Sequence, residues 1–150
     1  MKIISLCILP VVLCLFIVQN AYPQNKKLDK ALKKVDGYYK AGSFSKALKA
    51  LDKVKAGALK ISAQNNYMLD YHIREARLKL AIGTVDGFET SLSNALTSCQ
   101  AVYGETSTRY ATTLLDGGEI YIEFGNFRVA LYICCKGSHG RATATYGYIQ

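Results

Sequence analysis

A short pattern occurs twice in this chain, 83 residues apart: Tyr38, Gly42, Phe44 and Ala47, then Tyr121, Gly125, Phe127 and Ala130. Each copy lies where one amphipathic segment ends and the next begins, so the chain must turn back on itself at two equivalent places. The separation is close to two periods of about 42 residues, within the range of helical repeat arrays. Such arrays are binding scaffolds, and nothing in the pattern names what is bound.

The segments around the two turns read as helices. Leu28, Ala31, Leu32, Val35, Tyr38 and Tyr39 follow the i, i+3, i+4, i+7 spacing of one helix face. Gly42-Ser43 ends that helix near Lys40, Ser43 stands as the next cap, and Phe44, Ala47, Leu48, Leu51 and Val54 continue to a close at Gly57. Leu69, His72, Ile73, Ala76 and Leu80 form a less regular face before Gly83. Phe88, Leu92, Ala95, Leu96, Cys99 and Val102 form another, with Asp86 as its cap and Gly104 as its end. Tyr110, Ala111, Leu114, Leu115, Gly118, Tyr121 and Ile122 restore the regular pattern, and Phe127, Ala130, Leu131 and Cys134 follow the break at Gly125-Asn126. No segment alternates with period two, so the expectation is all-α. Gly42, Gly83 and Gly125 are 41 and 42 residues apart, and Tyr103-Gly104 and Tyr146-Gly147 are 43 apart. The second marker suggests that, after an early end to the last helix at Gly137-Ser138-His139-Gly140, the repeat domain spans 25–140 and residues 141–150 are an irregular tail or the start of a truncated fourth unit at Tyr146-Gly147.

These residues resemble the tetratricopeptide repeat family in its longer form of about 42 residues, similar to that of kinesin light chain. Leu114, Gly118, Tyr121, Gly125, Phe127 and Ala130 carry the resemblance in the third unit, and Ala31, Val35, Tyr38, Gly42, Phe44, Ala47 and Leu51 in the first. Unit two departs from it, with Lys79 in place of the aromatic. Gly117 also departs from it, standing where the family has a large aliphatic. The resemblance implies antiparallel helical hairpins stacked as a short right-handed α-solenoid of about three units, near residues 27–60, 64–103 and 107–137. Within each hairpin Ala47 or Ala130 permits close approach, while Tyr121 and Phe127 fill the space between helices.

The ends and the charge bound the compartment. Met1-Lys2 precedes an apolar run of 16 residues, Ile3 to Val18, and a polar exit containing Pro23. That is the form of a secretory signal peptide spanning 1–24, cut after Ala21 or Gln24, and the run is short of the roughly 20 residues that cross a bilayer. An uncleaved membrane anchor is the alternative. Lipidation at Cys7 or Cys14 is disfavoured by the leucine before each. About 126 residues remain, enough for one packed domain. The formal charge is +8, and its excess sits between Lys26 and Lys60, where eleven lysines face Asp29, Asp36 and Asp52. A solvated helix face explains it, and an anionic surface is a further possible partner; nucleic acid is not expected, since no recognition motif accompanies the lysines.

Chemistry is sparse. His72 lies on an apolar helix face, and Cys134, Cys135 and His139 lack the spacing of a zinc site. Cys99 and Cys134 fall at core spacing, with a disulfide between them left open. Glu119 and Glu123 share a helix face, and no P-loop, dinucleotide fingerprint or nucleophile elbow occurs. The expectation is therefore a protein with no catalytic residue, metal or cofactor. The resemblance implies that the first helix of each pair lines a groove for a protein or peptide partner: Asp29, Lys33, Asp36, Tyr39 and Lys40 from unit one, Arg77 from unit two, and Thr112, Glu119, Ile122 and Glu123 from unit three. Such a groove runs from basic to acidic. The function expected is a protein-protein interaction scaffold outside the cytoplasm, secreted or periplasmic; the alternative is the repeat region of a larger secreted or envelope enzyme or secretion component.

Overall fold

The computed structural model describes residues 25–63, 65–84 and 87–146, with side chains to residue 137. Six helices and no strand occur among the described residues: α1 (Lys26–Lys40), α2 (Phe44–Leu59), α3 (Asn66–Ala81), α4 (Phe88–Tyr103), α5 (Thr108–Glu123) and α6 (Phe127–Tyr146). Each helix packs on its successor, giving three stacked helical hairpins. The first helices also touch one another, α1 with α3 and α3 with α5, whereas α2, α4 and α6 do not. The first helices therefore form a continuous inner layer, and the second helices an outer one.

The twin sequence pattern is a helix-stop motif. At the first turn Ser43 N–H donates to the Tyr38 carbonyl (2.9 Å) and Gly42 N–H to that of Tyr39 (3.0 Å). At the last turn Asn126 N–H donates to Tyr121 (2.9 Å) and Gly125 N–H to Ile122 (2.9 Å). Both are Schellman closures, which need a left-handed residue before the last donor. Glycine supplies it, with φ of 67° at Gly42 and 82° at Gly125. The middle turn keeps Gly83 at 75°, but there the Thr84 hydroxyl, not a backbone N–H, donates to the Lys79 carbonyl at 3.3 Å.

Between hairpins, polar side chains hold the crossings. Asn65 Oδ1 caps α3 by accepting from Met68 N–H (3.0 Å), while its Nδ2 donates to the Ala58 carbonyl at the end of α2 (3.0 Å). Ser107 does the same between α4 and α5, accepting from Tyr110 N–H (3.1 Å) and donating to the Gly104 carbonyl (2.8 Å). Each therefore satisfies orphan groups of two helices at once.

Two apolar clusters share α3. Leu32, Val35, Ala47, Leu51 and Val54 pack with Met68, Tyr71 and Leu78 of α3, while Leu69, Ile73 and Ala76 of the same helix pack with Phe88, Leu92, Leu114 and Tyr121. Phe88 is 1% exposed, and burying such a side chain contributes about 2–3 kcal/mol.

Several expectations need correction. Gly57 does not close α2, which runs on to Leu59; a Cβ at Gly57 would stand 2.5 Å from Leu28 Cδ2, so glycine there lets α1 lie against α2. Ser43 occupies the cap position of α2 without a side-chain capping bond. Asp86 lies outside the described residues, and Gly87 holds the cap position of α4. The last helix does not stop at Gly137-Ser138-His139-Gly140 but is helical to Tyr146; residues 147–150, where the expected fourth unit would begin, lie outside the described residues. Phe127 does not fill a gap between helices, being 67% exposed, and Tyr38 is 36% exposed. Cys99 and Cys134 are not joined by a disulfide. Residues 1–24, on which the signal-peptide reading falls, also lie outside the described residues.

Candidate functional site

Unit two lacks the aromatic of the other turns, and a polar cluster takes its place. Tyr121 of α5 packs its ring on Phe88 (centroids 5.5 Å apart) and donates to Glu89 Oε1 at 3.2 Å. At the matching place in α3, Lys79 Nζ donates to Ser91 Oγ (2.8 Å) and to the Gly87 carbonyl (3.2 Å). Ser91, 1% exposed, donates to Glu75 Oε2 (2.8 Å), and Tyr71 donates to Glu75 Oε1 (2.6 Å). Burial pushes the Glu75 carboxyl up, but the neighbouring His72, Tyr71 and Ser91 groups and the Lys79 ammonium outweigh it and bring its pKa down to about 2. Burial and the same carboxylate raise the Tyr71 hydroxyl. His72 Nδ1 stands 3.6 Å from Glu75 Oε2, beyond hydrogen-bond reach. This cluster bridges α3 and α4, and none of its residues lines the cavity of the inner layer.

The inner layer does carry one. A cavity of about 430 Å³ lies across α1, α3 and α5. Its floor is apolar, made by Val35, Leu69 and Ile73, and its walls are charged. Helical spacing explains the walls: Asp36 with Tyr39 and Lys40, Asp70 with Arg74 and Arg77, and Arg109 with Thr113 and Asp116 each rise one turn at a time on one face.

The charges alternate across the seams. Arg74 takes Asp36 in a two-pronged grip, Nε to Oδ1 at 2.8 Å and Nη2 to Oδ2 at 2.9 Å. Asp70 accepts from Arg109 Nη2 at 3.0 Å and lies 3.7 Å from Arg74 Nη1. Arg77 Nη2 donates to Glu119 at 3.1 Å and lies 3.9 Å from Asp116. Burial raises the Asp70 carboxyl against the pull of Arg74 and Arg109, and raises Asp116 against that of Arg77. Arg77 Nε is buried and has no hydrogen-bond partner among the described residues. Arg74, Arg77 and Arg109 are thus held in place by carboxylates, and they line an open groove as fixed donors.

Of the residues the sequence proposes for the groove, Asp36, Tyr39, Lys40 and Arg77 line it. Glu119 joins its rim through Arg77. Burial and then the Glu123 charge raise the Tyr39 hydroxyl, while Glu123 itself is exposed and does not line the cavity. Asp29 sits away from the cavity, accepting from the Tyr67 hydroxyl at 3.1 Å. Lys33 and Ile122 are exposed outside it, and the Thr112 hydroxyl is turned back to the Thr108 carbonyl (2.8 Å). Asp70, Arg74, Arg109, Thr113 and Asp116 are the residues sequence reasoning missed. A signal existed: Asp36–Arg74 and Asp70–Arg109 are 38 and 39 residues apart, one helical turn short of the repeat. Lysine marks one end and Glu119 and Glu123 the other, while the middle alternates in sign.

Comparison with protein-family models, with curated proteins and with solved structures finds no match.

Proposed function

We propose that this chain is a non-enzymatic protein-binding scaffold, a tetratricopeptide-like array that acts outside the cytoplasm and holds a peptide segment of its partner in the groove of α1, α3 and α5. The groove carries this reading. Its apolar floor of Val35, Leu69 and Ile73 suits one or two apolar side chains of a bound segment. Its walls suit that segment's backbone, whose N–H groups meet Asp36, Asp70 and Asp116 and whose carbonyls meet Arg74, Arg77 and Arg109. Because these side chains already pair with one another, little side-chain order is lost on binding. The compartment rests on the sequence of residues 1–24 alone.

The test is capture of partners by the chain, in parallel with a rim variant carrying Tyr39→Ala, Lys40→Glu and Glu123→Lys. Lys40 and Glu123 are exposed, while Tyr39 packs on Phe44 (5.7 Å), so circular dichroism is expected to show the same helical content with melting lowered by the Tyr39 change, and capture is compared below both melting temperatures. A protein captured by the parent and lost by the variant supports the reading. Capture of nothing, or capture indifferent to the three changes, overturns it.

A further inference from the structure

Among the described residues, the last helix of the outer layer, α6, carries a bare apolar row. Phe88 and Leu92, at the first and fifth positions of α4, are 1% and 3% exposed. The next helix, α5, and its C-cap Phe124 cover them: the Tyr121 ring meets Phe88 edge-on at 5.5 Å and the Phe124 ring meets it tilted at 5.0 Å, and Leu92 Cδ1 lies 3.1 Å from where a Cβ would stand at Gly117. Phe127 and Leu131 hold the same first and fifth positions of α6. They are 67% and 68% exposed, and Tyr132 beside them 71%. The protein thus displays, on α4, the kind of object that fits α6: a helix with a small residue and two aromatics on one side.

Charge narrows the occupant. On α4 the second position is Glu89, which accepts the Tyr121 hydroxyl. On α6 it is Arg128, with Lys136 two turns further along the same side and no acidic residue anywhere in the helix. A second copy fits badly. Its α1 would present Lys34 where α5 has Gly117, together with a row of exposed lysines, and a second α6 would set Arg128 and Lys136 against their own kind.

We propose that the Phe127–Leu131 row of α6 docks an amphipathic helix of a different protein, apolar towards α6 and acidic on the side that meets Arg128 and Lys136. It lies on α6 as α5 lies on α4. This surface is separate from the groove and does not depend on it.

The probe is a labelled synthetic peptide of residues 108–124, which has the covering face and carries three carboxylates against one arginine. Fluorescence anisotropy with the full chain is expected to saturate. Arg128→Glu with Lys136→Glu in the chain should weaken binding severalfold, on the order of the loss of one close charge pair. Phe127→Ser with Leu131→Lys in the chain should weaken it by about tenfold or more, with Tyr39→Ala in the groove having no effect. The lysine-rich peptide of residues 26–41 should not bind. A photo-crosslinker at position 131 should capture the acidic peptide. The proposal is overturned if the crosslinker captures a second copy or residues 3–18 of its own chain instead. Equal binding of the lysine peptide, or indifference to the Phe127 and Leu131 changes, overturns it too.

Discussion

Arg74 holds Asp36 through two parallel hydrogen bonds, 2.8 and 2.9 Å long, across the seam between the first and second hairpins. The geometry is the strong two-pronged kind, but the Asp36 side chain is 45% exposed, so water discounts it. A double-mutant cycle of Arg74→Ala and Asp36→Asn is expected to give a coupling of about 1 kcal/mol in urea unfolding, falling in high salt. Arg74→Lys should recover little of it, since an ammonium cannot make both bonds. Zero coupling at low salt would show that the pair does not tie the two hairpins.

The Glu75 cluster makes an acid limb in stability. Its carboxyl sits at about 2 when folded against 4.5 ordinarily, so the folded form binds fewer protons than the unfolded one between those values. Its stabilisation is full above about pH 4.5 and is lost as pH falls through about 2. The ceiling is roughly 3 kcal/mol at about 1.4 kcal/mol per pH unit, reduced by the part of the side chain that meets water. Asp70 and Asp116, raised by burial, act in the opposite sense. Urea midpoints measured from pH 5 to pH 2 should therefore fall steeply in the parent and less steeply in Glu75→Gln. Equal slopes would remove Glu75 as the cause.

How far the sequence carried depended on how many sides of a helix are buried. α1 and α2 each bury a single stripe, and α5 one continuous half of its surface, so their apolar spacing is clear. α3 is buried on opposite sides, by Met68, Tyr71 and Leu78 towards one cluster and Leu69, Ile73 and Ala76 towards the other, so its periodicity blurs and unit two reads as degenerate. Gly137 looks like a stop, yet a Cβ there would stand 3.0 Å from the Ala111 carbonyl and 3.2 Å from Leu114 Cβ. A close helix crossing, invisible in local propensity, keeps α6 running. In the groove, matching like positions from unit to unit finds Arg77 and Glu119, which are 42 residues apart. It misses Arg74 and Arg109, because their partners sit one helical turn off that period.

The three cysteines of the helical array should separate by reactivity. Cys99 is fully buried; burial raises its thiol, and Thr113 donates a hydrogen bond to its sulfur at 3.3 Å. Cys135 is exposed on the outer side of α6. A thiol reagent followed by peptide mass mapping should modify Cys135 in the native chain and leave Cys99 unmodified until urea unfolds it. Native modification of both at one rate would contradict the packing of α4 on α5.

Glycine in a helix has opposite consequences at two places in this fold. Gly37, inside α1, has nothing within 4 Å of the position a Cβ would take, so Gly37→Ala adds only helix propensity. It should stabilise the chain by about 0.5–1 kcal/mol. Gly118, inside α5, lies where α6 comes closest: a Cβ would collide with Cys134 Sγ and stand 3.4 Å from the Ala130 carbonyl. There the same propensity gain is outweighed by overpacking of about 1–3 kcal/mol, so Gly118→Ala should lower the urea midpoint. The collision is with one atom, which gives the decisive arm of the test. Cys134→Ala removes that sulfur, and in its background Gly118→Ala should cost clearly less than in the parent. If Gly118→Ala is as harmful without the sulfur, the backbone of α6 and not Cys134 sets the approach of the two helices.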